Sequence, residues 1–177
     1  MRNGFLILFL LANTLFAAAQ AQWNVGKSSI TFKIKNAGLT VDGSFGGLVA
    51  DLKFDANNYA KSSIEASIDA NTTNTGIGLR NNHLKKENYF NVSKYPKIIL
   101  KSTLFSKEGD GTFKGHFKLT MKGITKDILI PFSYTESGNT AIFKATFIIN
   151  RKDYNVGGNS WTMSDDVAIT ILINAAK

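Results

Sequence analysis

From residue 22 onward the chain alternates apolar and polar side chains with a period of two, the spacing of a strand with one face buried and the other in water. In Ser29 to Asn36, Ile30, Phe32 and Ile34 share one face while Thr31, Lys33 and Lys35 share the other. Leu48 to Phe54 and Ser63 to Asp69 repeat the pattern. Five further segments follow it: Lys97 to Phe105, Phe113 to Met121, Lys126 to Tyr134, Ala141 to Asn150 and Asp166 to Ala175. Gly, Asn or Asp occupies most of the gaps, as turns require. The expectation is an all-β fold, an eight-stranded antiparallel barrel, because closure leaves no exposed strand edge. A two-sheet sandwich is the alternative that the pattern allows. Eight strands enclose an interior just wide enough for packed side chains or one small ligand.

The alternation is broken in two places. The connection between the third and fourth strands, residues 70 to 96, is long for a hairpin, and Asn81 or Asn82 is expected to cap a short helix running to about Phe90. Leu84 then falls on a different side from Lys85 and Lys86, and Pro96 ends the irregular stretch. The last two strands are apolar on both faces, with Ile142 and Ile148 opposite Phe143, Phe147 and Ile149, and Leu172 opposite Ile169, Ile171 and Ile173. Burial on two sides predicts a cover, either a homodimer partner or a helix.

Ahead of the strands, Arg2, the apolar stretch from Phe5 to Phe16 and the small-x-small Ala19-Gln20-Ala21 have the three parts of a secretory signal. Residues 1 to 21 are therefore expected to be cleaved, leaving one domain over 22 to 177 that is periplasmic or secreted. The longest unbroken apolar run, Phe5 to Ala12, is far short of the roughly 20 residues of a spanning helix. The chain has no cysteine, so neither a disulfide framework nor a lipidated cysteine follows the leader. Its net charge of +8 is carried by dispersed cations, a pattern that points away from nucleic acid and toward an anionic membrane surface.

Catalytic chemistry has little to stand on. The two histidines, His83 and His116, lie in distant segments, and His116 alternates with Lys114 and Lys118 on an outward face. With Asp165 and Asp166 they do not make the clustered ligand set of a zinc or iron site. No G-x-S-x-G elbow occurs, and Gly76-Ile77-Gly78 lacks the third glycine of a dinucleotide loop. Neither a catalytic centre, nor a metal, nor a cofactor is expected.

Trp23 to Phe45, Arg80 to Lys85, Leu119 to Lys126 and Arg151 to Gly157 are four separated motifs that resemble, in order, those of the YceI-like family. Trp23, Ser29, Phe32 and Gly43-Ser44-Phe45 are similar to its N-terminal pattern, followed by Ile68-Asp69 and Thr75. Arg80-Asn81-Asn82-His83-Leu84-Lys85 with Tyr89-Phe90 and Tyr95-Pro96 resembles its R-D-x-H-L-[KR] segment. Leu119 to Lys126 is similar to L-T-x-[KR]-G-x-T-K, and Arg151-Lys152-Asp153-Tyr154 with Gly157 to R-x-[DE]-[FY]-G. Asn81 replaces the family's Asp, which reduces an expected charge-assisted Arg contact to a neutral one. Asn155 replaces a Gly, and Asn also tolerates a left-handed backbone.

The resemblance implies an exported lipocalin-like barrel with one or two short helices that binds a polyisoprenoid lipid or isoprenoid quinone in its lumen. The alternative is a packed barrel acting as a stress-response or adhesive module. Thirteen phenylalanines, three of them in the leader, supply apolar lining. The inward candidates are Ile30, Phe32, Ile34, Phe45, Leu100, Phe117, Leu119, Phe132, Phe143, Phe147, Ile169 and Ile171, joined by Leu84 and Phe90 from the long connection. Arg80 and His83, three apart, are expected to share a helix face and form a polar mouth.

Overall fold

The computed structural model describes residues 21–177, so the expected leader lies outside the described residues except for Ala21. The period-two segments form eight strands: β1 (Gln22–Asn36), β2 (Leu39–Lys53), β3 (Ser63–Asn74), β4 (Lys97–Gly109), β5 (Thr112–Met121), β6 (Ile124–Ser137), β7 (Thr140–Asn150) and β8 (Met163–Ala176). Each pairs antiparallel with the next, and β8 returns to β1 through registers such as Phe32↔Ile169, closing the sheet. The sandwich is thereby excluded.

Several strands run past the expected limits. β1 begins seven residues before Ser29, and β2 begins at Leu39, not Leu48, across a Gly-rich stretch whose alternation is weak. Gly43 lies under the ring of Phe32, its cross-strand partner, where an added Cβ would come within 2.1 Å of the ring. Its missing side chain gives Phe32 its place over the strand. The registers of β2 against β3 shift twice between Ser44 and Val49, bulges that bend the wall at this point.

The helix differs from expectation. α1 spans Gly78–Leu84, starts before either asparagine, and has Ile77 at its N-cap with no side-chain bond. Asn81 is an interior residue that caps nothing and instead reaches back along the chain. Its carboxamide oxygen accepts from the Thr75 amide at 2.8 Å and the Thr75 hydroxyl at 2.7 Å. Beyond α1 the chain continues to Pro96 in turns, not as helix to Phe90.

One end of the barrel is filled by rings. Phe54 is fully buried, with Phe105, Phe113, Phe132, Tyr134 and Phe143 around it at centroid distances of 4.9–5.8 Å. Most of these contacts are edge-to-face, the arrangement that ring quadrupoles favour. The Trp23 indole NH donates to the Phe54 carbonyl at 2.8 Å and ties β1 to this floor. Among the described residues no helix covers the outer faces of β7 and β8, where Ile142 and Ile148 are exposed.

Candidate functional site

Above the aromatic floor the interior is not filled. A lower chamber of about 140 Å³ is bounded by Ile30, Leu100, Phe117, Leu119, Phe132, Phe143, Phe147 and Ile171. An upper chamber of about 410 Å³ lies toward α1, bounded by Phe32, Ile34, Leu84, Phe90, Arg80 and His83. Phe45, Met121, Ile149 and Ile169 border both chambers, so they meet across a waist of four apolar side chains. All fourteen apolar side chains expected inward line one or both chambers. His116, expected outward, is exposed.

The upper volume falls in the usual range of small-molecule sites, about 300–1,000 Å³, and it is wide for a void in a close-packed core. The chamber walls carry almost no polar atoms until the level of α1. There Thr75, Arg80, His83 and Arg151 approach the space. This arrangement suits an amphipathic molecule with a long apolar part placed downward and a polar end at the rim.

The polar residues do different work. Arg80 Nε donates to the Thr75 hydroxyl and Nη2 to the Thr75 carbonyl, both at 2.8 Å. Arg80 and Asn81 thus converge on Thr75 instead of contacting one another, and together they fix α1 to the end of β3. His83 is exposed and stands edge-on to Tyr89 at 4.9 Å between ring centroids. Of the two expected mouth residues, Arg80 is engaged with Thr75 and His83 is the exposed one.

Sequence reasoning missed Arg151 as a site residue, although it borders the upper chamber and is 3% exposed. Its guanidinium donates to the carbonyls of Ser164, Val156, Gly158 and Met163 and pairs with Asp165 at 2.9 Å. Every N–H is thereby engaged, which leaves Arg151 as the clamp joining the 3-10 turn Arg151–Tyr154 to the start of β8. Asn155 follows that turn in the left-handed conformation, φ 52° and ψ 37°, so the replacement of Gly is accommodated. Burial raises the Tyr154 phenol beside it to about 12. Met121, Ile149 and Val167, also missed, lie at strand positions whose alternation was legible, whereas Val156 lies between β7 and β8 outside any alternating segment. Nothing in their spacing marked them as chamber walls instead of core.

Similarity to known proteins agrees with this geometry. A UPF0312 protein of Yersinia pestis is 28% identical over 183 residues, covering 97% of this chain and 95% of its own. The crystal structure of BcnA from Burkholderia cenocepacia superposes with a TM-score of 0.83 at 25% identity, covering 86% of this chain and all of that one. A polyisoprenoid-binding domain from Saccharophagus degradans shares the fold, with a TM-score of 0.68 at 14% identity over 88% of this chain and 97% of its own. The YceI-like domain matches residues 22–175, the whole described barrel apart from its last strand residue, and the chain belongs to that family.

Proposed function

We propose that the protein is an exported, non-catalytic lipid carrier that holds one isoprenoid chain, as a polyisoprenoid lipid or the tail of an isoprenoid quinone, in the two joined chambers. The carrying observation is the upper chamber of about 410 Å³, walled largely by apolar side chains and adjoining a deeper one at four shared side chains. Each CH₂ moved from water into such a space contributes roughly 0.8 kcal/mol, so a long chain binds firmly without any bond chemistry. A polyisoprenoid-binding domain has been built on the same fold, which supports the choice of ligand class. Thr75, Arg80 and His83 lie where the polar end of such a molecule would rest.

The test is organic extraction of protein purified from its native envelope fraction without detergent, followed by mass spectrometry. A stoichiometric isoprenoid is expected. Protein that yields no lipid under these conditions, and takes up no short-chain isoprenoid quinone in titration, would reject the carrier reading in favour of a packed barrel with a different role.

A further inference from the structure

Of the eleven large apolar side chains exposed among the described residues, seven are spread along the strand walls and the other four gather at one end of the barrel. Leu39 in the β1–β2 hairpin is 72% exposed, Ile77 and Leu79 at the start of α1 are 53% and 84% exposed, and Trp161 in the segment before β8 is fully exposed. These segments belong to one rim. The Ala37 amide donates to the Thr162 carbonyl at 2.8 Å, joining the hairpin to the Trp161 segment, and Ile77 and Leu79 border the upper chamber with Asn36 and Met163. At the opposite end, the turns around Phe54, Gly111 and Gly138 expose no large apolar side chain.

Charge follows the same polarity. The segment from Thr75 to Pro96 holds Arg80, Lys85, Lys86 and Lys94 against the single acid Glu87, and Lys35 stands exposed on the adjoining end of β1. Among the described residues, the ion pairs near this end join Lys33 to Asp42, Lys118 to Asp127, and Arg151 and Lys152 to Asp165. Lys35, Lys85, Lys86 and Lys94 are left without a carboxylate partner. An apolar tip containing an indole and flanked by long cationic side chains is the composition that seats in a bilayer interface: rings and leucines enter below the headgroups while lysine stems reach back to lipid phosphates.

We infer that the α1 end of the barrel is a membrane-docking surface, which inserts Leu39, Ile77, Leu79 and Trp161 into an anionic bilayer with the chamber mouth facing the lipid. A protein partner would need an apolar complement of similar shape but would have no use for a rim of unpaired lysines without acidic residues opposite. A bilayer of anionic lipid satisfies both features at once. The docking rests on the carrier reading only for its purpose, delivery of a lipid through the mouth; the surface itself is argued from exposure and charge.

The two tryptophans make the test direct, because Trp23 is buried in the floor and Trp161 alone is free to change environment. The protein, with its N-terminus as processed by the host cell, is titrated with phosphatidylglycerol–phosphatidylcholine vesicles and with phosphatidylcholine vesicles. Expected are a blue shift of Trp161 emission with the anionic vesicles, weakening with added salt, and co-sedimentation reduced about tenfold or more in Trp161→Ser/Leu39→Ser. Lys85→Glu/Lys86→Glu should remove the preference for anionic lipid. None of these four residues lines the chambers, so affinity for a short isoprenoid quinone should stay unchanged in both variants. No emission shift with either vesicle, or vesicle binding that is indifferent to both double variants, overturns the docking surface. A self-association lost in Trp161→Ser/Leu39→Ser without any vesicle binding overturns it in favour of a protein interface. Failure to take up quinone with vesicle binding intact rejects the carrier reading and leaves the docking standing.

Discussion

Arg151 is the side chain on which most backbone of the upper rim depends. Its guanidinium is buried with four carbonyls and one carboxylate as partners, so truncation strips several acceptors of their donor at once. Arg151→Ala should lower stability by about 3 kcal/mol in urea unfolding, and Arg151→Lys should recover only part of this, because an ammonium lacks the planar fork. A second residue-scale expectation concerns alkaline pH. Burial, and then the hydrogen bond to Glu136, hold the Tyr134 phenol far above its ordinary range, while Tyr154 sits at about 12. A phenol raised in the folded state stabilises it below the unfolded value of about 10 and loses that contribution as pH rises through the folded value. The thermal midpoint should therefore fall above about pH 10, and Tyr134→Phe should make the fall shallower.

At the scale of elements, α1 is short and caps nothing by itself. A seven-residue helix without a side-chain N-cap has little intrinsic stability. Its place comes from Thr75, which receives Arg80 and Asn81 together. Asn81→Ala should cost about 1–2 kcal/mol and speed amide hydrogen exchange over residues 78–84, whereas Asn81→Asp, with its acceptor oxygen kept, should hold exchange near the starting rate. This arrangement also explains what sequence could and could not show. The strand faces were legible because burial on one side of a pleated strand writes itself into every second residue. The helix limits were misread because an asparagine before a helical run has the signature of a cap, and only the fold reveals that Asn81 reaches back to Thr75. The early starts of β1 and β2 were hidden for a related reason: Gly26, Gly43, Gly46 and Gly47 weaken the alternation where the backbone itself does the pairing.

For the whole molecule, the chamber walls were readable as inward positions but not as walls of empty space. Periodicity reports which face of a strand looks inward; whether the side chains opposite one another meet depends on barrel diameter and strand tilt, which no local pattern contains. The waist offers a way to separate depth from width. Ile169 borders both chambers, so Ile169→Phe sets a bulkier side chain where the two adjoin. A short-chain isoprenoid quinone, accommodated in the upper chamber, should bind the variant as it binds the parent, while a long-chain homologue should lose about tenfold or more in affinity, measured by titration against the same protein stock. Each buried methylene denied the lower chamber contributes to that loss.

The ring-filled floor around Phe54 carries a kinetic consequence. A barrel sealed at one end has one doorway, so a lipid must leave by the path along which it entered, and donor and acceptor membranes cannot be served together. For a carrier this excludes a conduit that spans two bilayers and dictates an exchange mechanism: unload, depart, reload. Initial rates of lipid transfer between donor and acceptor vesicles should then give parallel double-reciprocal lines as one vesicle concentration is varied at fixed values of the other, the pattern of a shuttle that meets its two partners in turn.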